Sequence, residues 1–217
     1  MKTAKGRKVS SIRWLERQLN DPYVQRAHRE GLRSRAAFKL VELDDKHHFL
    51  RKGRRVVDLG AAPGGWTQVA VSRVGAGAPG GGIVVAVDVA EMGAIAGARI
   101  LKGDIREPAT VGALRGMLDG PADVVLSDMA PATTGHRDTD HLRIVALVEA
   151  AAELALEILA PGGVFVAKVW QGGAAQELLQ RLKQGFRSVR HVKPGASRAE
   201  SAEVYLLASG YRGKPPA

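Results

Sequence analysis

From residue 55 onward, short apolar runs alternate with longer amphipathic stretches. The runs "RVVDLG" (55–60), "IVVAVDV" (83–89), "ARILKGD" (98–104), "ADVVLSD" (122–128), "GVFVAKVW" (163–170) and "AEVYLLAS" (202–209) are mostly β-branched or aliphatic and read as strands. Between them, apolar positions recur at helical spacing near 64–74, 107–118, 140–159 and 174–184. Strands alternating with helices of this length predict a parallel, doubly wound α/β sheet. A further run, "RSVRHVK" (187–193), is joined to the last one by "PGASRAESA" alone. That link is too short for a helical crossover, so this pair is expected to be antiparallel. Ahead of the first strand, "SRAAFKLVELDDKHHFL" (34–50) carries apolar residues at helical spacing and should pack on the sheet. The segment "GAGAPGGG" (75–82) reads as a surface turn, and the Ala/Leu-rich helix stopped by Pro161 and Gly162 as plain packing.

A chain of 217 residues with 45% hydrophobic content suits one domain with a sizeable core. The division expected is an N-terminal extension over 1–33, a single domain over 34–210 and a short tail over 211–217. No stretch approaches the roughly 18 apolar residues of a membrane span. The opening "MKTAKGRKVSSIRWLERQL" is basic but lacks an apolar segment, so the expected setting is cytoplasmic, away from membranes. The absence of cysteine excludes disulfides, thiolate zinc sites, iron–sulfur clusters and cysteine nucleophiles.

Charge changes the picture more. The net charge is +10, yet residues 56–217 hold 16 Lys/Arg and 16 Asp/Glu, whereas residues 1–55 hold 16 against 6. The whole excess lies ahead of the first strand, as suits an arm that contacts a polyanion. Trp14, Tyr23 and Phe38 are interleaved with these charges and offer faces on which bases could stack, so nucleic acid is the expected partner.

The first strand runs into "DLGAAPGGW". A dinucleotide fingerprint, G-x-G-x-x-G, needs its second glycine where a pyrophosphate meets the backbone. Here Ala62 stands at that position and is followed by Pro63, which has no backbone donor. The P-loop lysine is missing too, since Trp66 stands in its place. The loop is therefore expected to hold a ligand without phosphate, and S-adenosylmethionine is such a ligand. Asp58, Asp88 and Asp104 close three consecutive strand candidates. Asp88 could accept from ribose hydroxyls and Asp104 from the adenine amino group. Asp128, in "SDMAP", falls at the carboxyl edge of the next strand, where ligands of such sheets bind. Lys168 lies inside the apolar "FVAKVW", and a lysine there is costly to bury unless paired or functional. Lys39 and Glu203 are likewise charges in apolar contexts, in "AAFKL" and "SAEVY".

The motifs "SRAAFKL", "DLGAAPGGW", "SDMAPATTG", "AKVWQGG" and "KPGASRAESAEVYLLA", in this order over about residues 10–210, resemble the FtsJ/RrmJ (RlmE) family of ribosomal RNA 2′-O-ribose methyltransferases. Ala132 and Trp170 depart from the asparagine and phenylalanine common there. The resemblance implies a Rossmann-like, S-adenosylmethionine-dependent methyltransferase fold of about seven strands, the last antiparallel. It implies a Lys-Asp-Lys-Glu tetrad, met here by Lys39, Asp128, Lys168 and Glu203. It further implies a cofactor site including Gly64, Trp66, Asp88, Asp104 and Asp128, with S-adenosylhomocysteine as product and no metal. The substrate implied is a uridine 2′-hydroxyl of large-subunit ribosomal RNA on the assembled 50S particle, and the protein is expected to be a monomer. Within that set Lys168 takes the hydroxyl proton, a role that burial and the neighbouring Lys39 would favour by disfavouring its charged form. A non-catalytic ribosome-assembly factor, or a methyltransferase acting on another RNA such as tRNA, would share the basic arm; a nicotinamide dehydrogenase would share the sheet but not the loop.

If the arm holds RNA through phosphates, removing its first ten residues will flatten the salt dependence of RNA binding and leave cofactor affinity unchanged. Titrations of the full-length and trimmed proteins over a range of salt check this; an identical slope returns those charges to ordinary solvated surface.

Overall fold

A computed structural model describes residues 21–131, 135, 137–170, 176–198 and 200–213. The first 20 residues, Ala132 and the "QGG" of "AKVWQGG" lie outside the described residues. The described residues form α1 (Pro22–Arg29) and α2 (Ala37–His47), then β1 (Arg55–Leu59), α3 (Gly65–Val74), β2 (Ile83–Asp88), β3 (Ala98–Lys102), α4 (Pro108–Leu118), β4 (Ala122–Ser127), α5 (Arg137–Ile158), β5 (Leu159–Trp170), α6 (Gln176–Gly185), β6 (Phe186–Val192) and β7 (Glu203–Tyr211).

The seven strands form one sheet in the order β3-β2-β1-β4-β5-β7-β6. Strands β1 to β5 pair in parallel, and β7 is inserted antiparallel between β5 and β6. The expected antiparallel close is thus observed. The strand order reverses between β1 and β4, and this switch point opens a crevice at the carboxyl ends of the two strands. Because every interior strand is covered on both faces, β1, β2 and β4 are nearly continuous Val, Leu and Ala runs rather than alternating ones. Helices α2 and α3 cover one face through Leu40, Leu43, Trp66 and Val69. Helices α4, α5 and α6 cover the other through Leu114, Leu118, Ala151, Ala155 and Leu182. Each fully buried Leu or Val contributes about 1.5–3 kcal/mol relative to exposure.

The strand β5 begins at Leu159, ahead of Pro161 and Gly162, rather than after them. A register shift on its partner between Ala122 and Val124 absorbs the Pro-Gly segment. Helix α1 has no counterpart among the helices expected from periodicity. It starts because Pro22 occupies its first turn and the Asp21 carboxylate accepts the Tyr23 N–H at 3.0 Å. Apart from Ala27 its residues are polar or only partly buried, so apolar spacing gives little sign of it. Polar contacts hold it down, beside a small apolar cluster in which Ala27 and Tyr23 meet Phe38 and Ala196. Asp21 lies 3.2 Å from both Arg35 and Arg198, and the Tyr23 hydroxyl donates to Glu42 at 3.3 Å. Glu42 also accepts the Ala196 N–H at 2.9 Å, so one carboxylate ties α1 and α2 to the loop before β7. Among the described residues no helix is long and apolar enough to cross a membrane.

Candidate active site

Strand register brings the site together. Ser127 of β4 faces Ala167 of β5, so Asp128 arrives beside Lys168. Lys168 in turn faces Tyr205 of β7, and Trp170 faces Glu203. Helix α2 lays Lys39 over this level, on the face where Leu40 and Leu43 meet the sheet. Four charged residues distant in sequence therefore converge at one edge of three adjacent strands.

They converge as two ion pairs. Lys39 Nζ lies 2.5 Å from Glu203 Oε1, and Lys168 Nζ lies 3.1 Å from Asp128 Oδ1 while donating to the Asp128 carbonyl at 2.6 Å. Lys39 and Lys168 are 8% and 9% exposed, so these ammonium groups depend on their partners more than surface ones would. The Tyr205 hydroxyl links the two pairs. It lies 2.7 Å from Asp128 Oδ1, to which it donates, and 3.3 Å from Glu203 Oε1. Burial first, then the charges of Asp128 and Glu203, push Tyr205 well above the ordinary tyrosine range, so it stays a donor. Burial also pushes the Glu203 carboxyl up, but the charge and hydrogen bond of Lys39, the charge of Lys168 and the Ser197 hydroxyl together outweigh it and hold Glu203 below the usual glutamate value.

A cavity of about 610 Å³ opens beside this set at the switch point, lined among others by Gly60, Ala62, Asp88, Asp104, Asp128 and Met129. Asp128 thus belongs both to the cavity and to an ion pair. Its wall requires glycine at position 60, where φ is +72° and a Cβ would lie 2.4 Å from the Met129 side chain. Asp88, at the end of β2, accepts the Ala62 N–H at 2.8 Å and the Ala90 N–H at 2.7 Å. It keeps carboxylate lone pairs for a further donor.

The other residues named from sequence are placed differently. Asp104 reaches the cavity wall, but Arg106 engages both its oxygens; the Arg106 side chain first, then its backbone N–H, hold this carboxyl at about 2. It is a paired acid rather than an open acceptor. Asp58 is fully buried beneath α3, where one oxygen accepts the Thr67 hydroxyl at 2.7 Å and the other has no partner among the described residues. The Trp66 side chain is a core residue: its indole lies 5.5 Å from the Tyr205 ring and its N–H donates to the Ala36 carbonyl at 2.8 Å. Neither it nor Gly64, which caps α3 with φ +111°, lines this cavity. Tyr205 and Ser197 were not singled out from sequence. Tyr205 carried a usable signal, since it follows Glu203 by two on a strand and must share its face.

A doubly wound sheet with an antiparallel β7 and a cavity at its switch point, walled by a glycine loop and an acid-tipped strand, is the architecture of the Rossmann-like methyltransferases. The sequence profile of the FtsJ-like methyltransferase family matches residues 32–211, and the chain belongs to that family. It is 58% identical over 213 residues to a protein of Azorhizobium caulinodans named ribosomal RNA large subunit methyltransferase E, covering 98% of this chain and 88% of that one. A protein of the same name from Paramagnetospirillum magneticum is 60% identical over 217 residues, with the same coverage. Among solved structures, one from Plasmodium falciparum described as a ribosomal RNA methyltransferase superposes with a TM-score of 0.73 at 29% identity, covering 84% of this chain and all of that one.

Burial first, and secondarily the charges of Asp128 and Asp88, push the Asp58 carboxyl up to about 7, against the opposing Thr67 hydrogen bond. The folded protein therefore holds a proton there that the unfolded chain releases near pH 4. Stability from this group is complete below about pH 4 and is lost as pH rises through about 7, a change of about 4 kcal/mol. Asp58→Asn should flatten that part of the curve, as checked by denaturant unfolding of the ligand-free protein between pH 4 and 8; an unaltered slope would place the titration elsewhere.

Proposed function

We propose that the protein transfers a methyl group from S-adenosylmethionine to the ribose 2′-hydroxyl of a uridine in large-subunit ribosomal RNA, on the assembled large subunit, as a cytoplasmic monomer. The observation that carries this reading is that Asp128 joins the cavity to a buried lysine. One carboxylate thereby borders both the space for the methyl donor and the group that would receive the proton. The names of the relatives support the RNA substrate, and the excess positive charge of residues 1–55 supports contact with its backbone through the extension over 1–33.

The residues present fit the cofactor. The cavity is of a size that suits a nucleoside with a short amino-acid tail. Its glycine loop offers no N–H at Pro63 for a phosphate, and Asp88 stands at the edge with acceptor capacity left for ribose hydroxyls. Gly64 and Trp66 would act only indirectly, by shaping the turn into α3 behind the cavity wall, and Asp104 through the wall it shares with Arg106. When bound, S-adenosylmethionine supplies a methyl group on a sulfonium and leaves as S-adenosylhomocysteine.

The chain's own part is to make a ribose hydroxyl nucleophilic. Lys168, as the free amine, accepts the hydroxyl proton while oxygen bonds to carbon. Asp128 fixes that amine through both its carboxylate and its carbonyl. Glu203 neutralises Lys39, so a second buried cation is available at the site without standing unpaired. Tyr205 keeps the two carboxylates in register by bridging them.

Lys168→Ala should abolish methyl transfer yet leave cofactor and RNA binding nearly intact, because the role lies in the transition state. Lys168→Arg should fail almost as completely, since a guanidinium does not shed its proton near neutral pH. Single-turnover assays with ribose-methylation mapping check both, and wild-type turnover in Lys168→Arg would remove Lys168 as the base. Asp88→Ala should weaken S-adenosylhomocysteine binding by about 1–3 kcal/mol in calorimetry. Unaltered affinity would move the ribose contact elsewhere.

A further inference from the structure

Arg33 lies in the basic segment ahead of α2, where charge alone assigns it to RNA. Its guanidinium is engaged elsewhere. One terminal nitrogen donates to the Pro63 carbonyl at 3.2 Å and the Gly93 carbonyl at 2.7 Å; the other donates to the Ala94 carbonyl at 2.6 Å. Its backbone N–H donates to Gln68 at 2.8 Å, and the Gln68 amide returns a bond to the Gly31 carbonyl at 3.0 Å. The guanidinium thus binds three neutral carbonyls from two separate loops, the glycine loop after β1 and the segment after β2.

Those loops are the ones that carry Gly60 and Ala62, and Asp88 and Val89, into the cavity wall. They are joined twice. On the cavity side Asp88 accepts the Ala62 N–H, and away from it Arg33 spans Pro63, Gly93 and Ala94. The packing between the joints is tight. A Cβ on Gly64 would lie 2.6 Å from Ile95 Cδ1 and 3.1 Å from both Arg33 Cδ and Met92 Sδ. The planar fork serves the three carbonyls from two separate nitrogens, whereas a lysine presents its donors from a single point.

We propose that Arg33 is a positioning residue for cofactor binding, a clasp that sets the separation of the two loops forming the S-adenosylmethionine wall, and not a phosphate contact. This rests on the reading of the cavity given above. The clasp touches no cofactor atom. It acts through Ala62 and Asp88, by preventing the second loop from lifting away from the first.

Replacing Arg33 by lysine separates charge from geometry. Calorimetry with S-adenosylhomocysteine on the full chain should show about tenfold or greater weakening for Arg33→Lys and Arg33→Ala alike, the scale of losing charge-assisted hydrogen bonds. The turnover loss in Arg33→Lys should fall on KM for S-adenosylmethionine rather than on kcat. The salt slope for binding large-subunit ribosomal RNA should match wild type in both variants. A phosphate contact gives the opposite pattern: wild-type cofactor affinity in Arg33→Lys and a slope reduced by about one in Arg33→Ala. That result would overturn the clasp. Failure of the wild-type protein to bind S-adenosylhomocysteine would instead remove the cofactor reading, and the clasp with it.

Discussion

A buried ammonium group must have a counter-charge, and two of them crowded at one sheet edge need two. Lys39 and Lys168 impose this condition on the molecule. It is met only because β4, β5 and β7 are adjacent and in a register that sets Asp128, Lys168 and Tyr205 at one level, with Glu203 two residues away on the same face. A one-residue slip of β7 would turn Glu203 and Tyr205 to the opposite face and leave Lys39 without its partner. The apolar interior of the strands, buried on both sides, is what makes such a slip costly. The chemistry at the edge therefore borrows its precision from the core beneath it.

Much of this was legible in the sequence, for identifiable reasons. The strands declare themselves because they are short apolar runs between long helices, and the antiparallel close follows from the length of "PGASRAESA" alone. Lys39, Lys168 and Glu203 were visible as charges in apolar contexts and Asp128 as an acid at a strand's carboxyl edge; their grouping was what the family resemblance implied, and the structure brings all four together. The pattern of acids at successive strand ends was a weaker guide. Of Asp58, Asp88 and Asp104, one is sealed in the core, one lines the cavity with acceptor capacity left, and one is taken by Arg106. Sequence position predicts where a strand ends but not what a carboxylate meets there. Trp66 shows the same limit, since its place in a glycine motif says nothing about which way the ring turns.

What escaped the sequence was held by long-range polar contacts rather than by periodicity. Helix α1 is fastened by Asp21, Arg35, Arg198, Tyr23 and Glu42, whose partners lie up to 177 positions away. The same contacts brace the loop that supplies Ser197 and leads into Glu203. The region rich in positive charge is therefore not a uniform surface for nucleic acid. Several of its arginines are bound into the frame, which shifts any contact with RNA towards those that are not.

The antiparallel insertion of β7 has a consequence in time as well as in space. Lys39 and Glu203 are separated by 164 positions. A chain made from its N-terminus completes β1 to β5, and with them Gly60, Asp88 and Asp128 of the cavity wall, while Lys39 still lacks its carboxylate. The strand that delivers Glu203 and Tyr205 has to enter a gap beside β5 against the direction of its neighbour there, after β6 has already been made. Closing the pair is thus among the last events open to the growing chain. The lysine that the finished protein holds nearly out of water is thus made long before the carboxylate that pairs with it.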